Sequence, residues 1–217
     1  DMANNVYSIV SLHSGNEEVH TWFKELVENL RYPEDERPQE YEHYKPLHTT
    51  FWPDEEDTDT RGWYVDNIGV KWCHIQDAYE TEINTCSAWG IPHDFYEKLS
   101  EEASKIDQNV VFTVTYEDEM PNFFGSSVYY QGEQFDSCEW DSDEYEGQGL
   151  CFYWDEDEMG EEEPEDWEAS WEDMHLLQHE NLQLIWYTHT HLYIKMKEFK
   201  NLVDGKKIWL FPTGISY

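Results

Sequence analysis

Basic side chains are what this sequence has least of: 13 Lys and Arg stand against 49 Asp and Glu, and none lies between Lys105 and Lys195. Direct nucleic-acid binding is disfavoured, because neutralising phosphates takes a basic footprint. Long apolar runs are missing as well. None approaches the roughly 20 residues of a membrane span, and no basic-then-apolar leader is present, so the expectation is a cytoplasmic protein with no membrane partner. Cys73, Cys86, Cys138 and Cys151 have neither C-x-x-C spacing nor the density of a secreted disulfide scaffold. Each of the pairs 73/86 and 138/151 flanks an expected hairpin; reduced thiols are favoured over cross-strand disulfides. Phosphate-binding glycine loops and nucleophile elbows are absent too.

What is abundant is acid and aromatic surface. A formal charge of -36 imposes strong self-repulsion on any compact state. Acidic chains of this kind stay disordered when they lack apolar surface to offset conformational entropy. Here 17% of residues are aromatic, with 11 Trp, 15 Tyr and 10 Phe, so a core can form. Even spreading, as in adaptation to salt, does not describe the charge. The gap between Lys105 and Lys195 holds 24 Asp and Glu, whereas the chain end carries Lys195, Lys197, Lys200, Lys206 and Lys207 against Glu198 and Asp204.

Val6 to Leu12 alternates and is rich in β-branched residues, which predicts a strand. Val19, Trp22, Phe23, Leu26, Val27 and Leu30 fall on one face of a helix over 16–31, capped near Ser14-Gly15-Asn16. From 32 to 62 the text is acidic and carries Pro33, Pro38, Pro46 and Pro53, a composition that disfavours regular elements. Strands are expected near 68–76 and 82–89, with a turn at 78–81. A second helix is opened by Pro92 and Asp94, with Phe95, Tyr96, Leu99, Ala103 and Ile106 on one face, and a strand follows at 110–116. This order predicts an α+β fold, the ferredoxin-like β-α-β-β-α-β antiparallel sheet with helices on one face. A further hairpin, 127–135 and 149–154 around an acidic loop, would extend the sheet. An acidic helical region would follow, with 182–199 open between helix and strand and a short strand near 207–211. The expected organisation is a ferredoxin-like core over 1–135 with an insertion at about 32–62. Residues 136–217 would supply the acidic loop, the acidic and aromatic helical extension and the basic end, packed on the core.

Gly69-Val70-Lys71-Trp72, then Ala88-Trp89-Gly90-Ile91-Pro92 leading into a helix with Phe95 and Leu99, then Phe124-Gly125, resemble the YubB-type ferredoxin-like family of plasmid, prophage and phage proteins. The opening Met2-Ala3-Asn4-Asn5 is similar, and the likeness covers about residues 3–135. It implies the fold and an origin in mobile elements, hence a host cytoplasm if phage-encoded. It brings no catalytic residues.

Catalytic and metal patterns are incomplete. His48-Thr49-Thr50 resembles the His-x-Thr signature of two-histidine phosphoesterases. Neither His189 nor His191 supplies a matching second copy, and the net charge repels a phosphate substrate. His189 and His191 lack a third metal ligand at a specifying distance. Asp141-x-Asp143 and Asp155-x-Asp157 begin like calcium loops without completing one. The expectation is no enzyme, no cofactor and no dedicated metal site.

There remains the acid itself. Duplex DNA carries a charge per about 1.7 Å of axis, so 36 surplus charges correspond to roughly 60 Å of duplex. The expected function is a DNA mimic that inhibits a basic host DNA-binding protein of a restriction, CRISPR, recombination or other defence system. The expected partner-binding residues are Glu139, Asp141, Asp143, Glu144, Glu146, Asp155, Glu156, Asp157, Glu158, Glu161, Glu162, Glu163, Glu165, Asp166, Glu168, Glu172 and Asp173, helped by Asp54, Glu55, Glu56, Asp57 and Asp59. Trp167, Trp171 and Met174 would turn inward and leave the acids of that helix in water. An acidic adaptor or chaperone for a basic protein is the alternative, with a two-histidine phosphodiesterase behind it. The basic end would fold onto the acidic surface or pair with a second copy as a homodimer.

Overall fold

The computed structural model describes residues 4–119, 122–141, 171–180 and 182. Among the described residues six strands form one antiparallel sheet: β1 (Asn5–His13), β2 (Cys73–Ala78), β3 (Glu82–Ala88), β4 (Val111–Asp118), β5 (Phe123–Tyr130) and β6 (Glu133–Asp141). Their order is β2-β3-β1-β4-β5-β6. The helices of the first 119 residues are α1 (Glu17–Leu30), α2 (His48–Phe51), α3 (Arg61–Asn67) and α4 (His93–Ser104), with a 3-10 turn at Glu34–Glu36. The fold class is therefore α+β. Among the described residues no helix is long and apolar enough to cross a membrane.

Local chemistry explains each long element. The Asn16 side chain accepts from the Glu18 amide at 2.8 Å, capping α1, and Glu17 and Glu18 complement its N-terminal dipole. Val19, Phe23, Val27 and Leu30 return at helical spacing and are buried. In β1 the period is two: Val6, Ser8, Val10 and Leu12 face the helices, while Ile9 on the other side is 39% exposed. Phe23 of α1 meets Phe112 of β4 with ring centroids 6.0 Å apart. From α4, Phe95, Tyr96, Leu99 and Ala103 complete the same core. Polar atoms in it are paired: the hydroxyls of Ser8, Thr85 and Tyr96 lie within 2.6 to 3.1 Å of one another. Truncating Phe23 to Ala would cost about 3–5 kcal/mol at such a site.

The opposite face is covered at its β5–β6 end. Residues 171–180 are helical. Met174 is fully buried against Phe124, flanked by Trp140, Trp171 and Leu177. Gln178 donates to the Tyr116 carbonyl at 2.9 Å and accepts the Ser126 hydroxyl at its own carbonyl, 2.6 Å.

The structure departs from expectation in three places. The 32–62 stretch is not without regular elements, since α2 and the 3-10 turn lie in it and α3 begins at its end; Thr60 caps α3 by accepting from the Trp63 amide. The strand expected at 127–135 breaks at Gln131-Gly132, whose φ values of 53 and 84 make the tight turn between β5 and β6. The sixth strand is therefore Glu133–Asp141 and runs across the boundary at 135, through the start of the expected acidic loop. The strand expected from 68 begins only at Cys73, because Gly69 turns the chain at φ +94. Cys73 pairs with Ser87 and Cys86 with His74, so the two thiols project to opposite faces and are free. The expected strands at 149–154 and 207–211, and all of 182–199 except Leu182, which is helical, lie outside the described residues.

Candidate partner-binding surface

Among the described residues β6 is, with β2, one of the two end strands of the sheet. It is polar along most of its length, and Glu133, Glu139 and Asp141 are exposed. Glu139 is held from below. Tyr116 of β4 reaches across β5 and donates to Glu139 Oε2 at 2.8 Å. Its passage depends on Gly125 between them, where a Cβ would sit 2.5 Å from the Tyr116 hydroxyl and 2.6 Å from the Cys138 carbonyl oxygen. Burial and the adjacent Glu139 push the Tyr116 phenol well above its ordinary range, so it donates at any physiological pH.

The same arrangement recurs elsewhere. Trp63 Nε1 donates to Glu55 Oε2 at 3.0 Å, pinning one acid of the exposed group Asp54, Glu55, Glu56, Asp57 and Asp59 to α3. Asp77 receives the hydroxyls of Tyr79 and Tyr44, which hold its carboxyl below the usual range. Aromatic donors thus fix carboxylates, a role beyond the apolar packing expected of them. The signal was not in any local motif, because Tyr116 and Glu139 meet only through the β4-β5-β6 register.

Next to the docked helix, Glu117 accepts from Gln178 Nε2 at 3.1 Å, and burial raises its carboxyl above the usual range. Glu172 and Asp173 are exposed while Met174 is buried. Of the expected partner-binding residues, Asp143, Glu144, Glu146, Asp155, Glu156, Asp157, Glu158, Glu161, Glu162, Glu163, Glu165, Asp166 and Glu168 lie outside the described residues, as does Trp167.

Among the described residues His48 sits against aromatics. Its Nδ1 is 3.2 Å from the Tyr64 hydroxyl, and its ring meets Trp63 and Tyr64 edge-on. Burial lowers its pKa. Thr50, the hydroxyl of the His-x-Thr pattern, donates to the Leu47 carbonyl at 2.6 Å. His189 and His191 lie outside the described residues.

One cluster with metal-binding capability was not anticipated. His93, Asp94 and Glu97 bring ligand atoms within 4.8 Å of one another on the first turns of α4. His93 Nε2 lies 3.3 Å from Glu97, and its Nδ1 is 2.8 Å from the Tyr129 hydroxyl. The i, i+4 spacing of His93 and Glu97 was the available signal. No family model matches the chain, and no curated protein or solved structure matches it.

Proposed function

We propose that this protein imitates the charge of duplex DNA and inhibits a host DNA-binding protein by occupying its basic channel. The observation that carries the reading is the 89-residue stretch without Lys or Arg, from 106 to 194, in a chain of charge -36. Support comes from the way acids are held. Carboxylates fixed by Tyr116 and Trp63 lose less side-chain entropy on binding than free ones, so more of their electrostatic attraction remains as affinity. Alternate residues on a strand repeat about every 6.6–6.8 Å, close to twice the ~3.4 Å axial rise per phosphate of one DNA strand. Glu139 and Asp141 stand at this spacing on β6.

The frame belongs to the same proposal. Strands in the order β2-β3-β1-β4, with α1 and α4 as the crossings, are what the split β-α-β ferredoxin-like motif requires, and β5-β6 extends it. A place in the YubB-type family of mobile elements would give such a protein its occasion, the disarming of host defence.

Binding should be fast at low salt and weaken steeply as salt rises. The test is capture from the heparin-binding fraction of a bacterial lysate, followed by competition with duplex DNA. Release by duplex, with loss of the partner's DNA binding when saturated, is the expected result. A partner that keeps its DNA activity at saturation would make this chain an adaptor; one indifferent to duplex would end the mimicry reading.

A further inference from the structure

We propose that the cleft between Arg31, Arg37 and His43 is a binding site for a small oxyanion, the phosphate or carboxylate group of a soluble ligand. Backbone pairing builds it. After α1, the Tyr32 amide donates to the His43 carbonyl at 2.9 Å and the Lys45 amide to the Leu30 carbonyl at 2.7 Å, so the chain returns alongside itself. Arg31 and Arg37 then line one cavity of about 270 Å³ together with Tyr32, His43, Tyr44, Gln76 and Asp77.

Neither guanidinium is held in an ion pair. Among the described residues Lys24, His93, Lys98 and Lys105 pair with carboxylates, whereas Arg31 and Arg37, like Lys45, Arg61 and Lys71, take part in no such pair. Arg37 Nε is shut off from solvent and has no hydrogen-bond partner. Such a group is costly to leave unpaired, and an acceptor that reached it would recover the lost hydrogen bond. Arg31 is oriented instead: its Nη2 donates to the Ala78 carbonyl at 2.7 Å, and its Cζ lies 5.8 Å from the centre of the Tyr44 ring.

Asp77 is the carboxylate on the cavity wall, and it already has partners: the Arg31 charge helps to keep it ionised, after the hydrogen bonds it accepts. Tyr44, Tyr79 and the Ala78 amide all donate to it. Two guanidiniums line this cavity, one with a donor committed to the Ala78 carbonyl and one with an unpaired Nε, and an incoming oxyanion can accept from their remaining N–H groups. The overall charge does not prevent this, since screening confines exposed charges to about 8 Å at physiological salt. The site is independent of DNA mimicry and would stand if no DNA-binding partner were found.

Calorimetric titration of the full chain with inorganic phosphate, and separately with acetate, at constant ionic strength tests it. Saturable binding of at least one anion is expected. Arg37→Gln should weaken it tenfold or more, while Arg61→Gln, at a residue that does not line the cavity, should leave it unchanged. Binding of phosphate alone would identify a phosphate ligand, and binding of acetate alone a carboxylate. If Arg37→Gln fails to fold, judged by circular dichroism, Arg37→Lys retains the charge without the fork and should still lose most of the affinity. No saturable heat with either anion, or undiminished binding in the Arg37 variant, would overturn the proposal.

Discussion

At Gly125 a single hydrogen atom decides whether Tyr116 can cross the sheet. A Cβ there would meet both the phenol oxygen and the Cys138 carbonyl inside van der Waals distance, and the carbonyl belongs to a paired strand that cannot swing away. Gly125→Ala should therefore destabilise by about 2 kcal/mol or more, as overpacking does. Gly62, in α3, has nothing within 4 Å of its Cβ position, so Gly62→Ala should stabilise by about 0.5–1 kcal/mol through helix propensity. Urea denaturation of the two variants should shift the midpoint in opposite directions. His13 makes a second residue-level prediction. Burial lowers its pKa to about 4, with His20 adding to the effect, and its Nε2 lies 2.8 Å from the Thr113 hydroxyl. A base with a depressed folded pKa contributes stability that is present above its unfolded value, near 6.5, and is lost as pH falls through about 4. Thermal melts between pH 7 and 4 should show His13→Gln losing less stability than the parent, by up to roughly 3 kcal/mol. The difference between the two proteins is the quantity to read, because protonating exposed carboxylates relieves repulsion in both alike.

Among the elements, those legible in the sequence were the ones whose period is set by a single buried face. β1, α1 and α4 each show it, because every second or every third-to-fourth residue must enter one core, whereas β4, buried at four consecutive positions, was legible from its β-branched and aromatic content. The β5–β6 turn was hidden because Gln131, rather than Asn or Asp, takes the left-handed position before Gly132, so no usual turn pair marked it. α3 was hidden by its acidic, Pro-rich surroundings, although Thr60 is a recognisable cap. At the candidate surface, the acids were legible as composition, but what fixes them was not, since Tyr116 and Glu139 become neighbours only after three strands pair. The 171–180 helix belongs between these cases: Trp171 and Met174 showed its apolar side, while Gln178 as its anchor did not stand out. Its docking is testable. Met174 is fully buried between helix and sheet, so Met174→Ala should cost about 2–5 kcal/mol if the helix unfolds together with the sheet. If the helix opens alone, the global midpoint will stay in place and hydrogen exchange will accelerate in 171–180 only. Either outcome tells whether Glu172 and Asp173 sit on a frame as firm as β6.

For the molecule as a whole, the acids are a cost to folding. Like charges at this density repel, and the described lysines neutralise only a few of them through pairs such as Lys24–Glu80 and Lys105–Glu102. Raising NaCl from about 20 to about 500 mM should therefore raise the melting temperature by several degrees, because the Debye length shortens from about 20 Å to about 4 Å. Replacing Glu139, Asp141, Glu172 and Asp173 by their amides should act in the same direction at low salt, and the gain should shrink at high salt where repulsion is already screened. A surface whose only role is solubility would lose nothing else by that exchange. If the acids serve a basic channel, the same variant should be more stable and yet bind its partner more weakly, with a shallower dependence of affinity on salt because fewer charges are matched. Melting curves and affinities measured on one preparation across one salt series separate the two cases. Stability and binding moving in opposite directions is the signature of charge kept for a partner, whereas a stability gain with unchanged affinity would assign the four carboxylates to solubility alone.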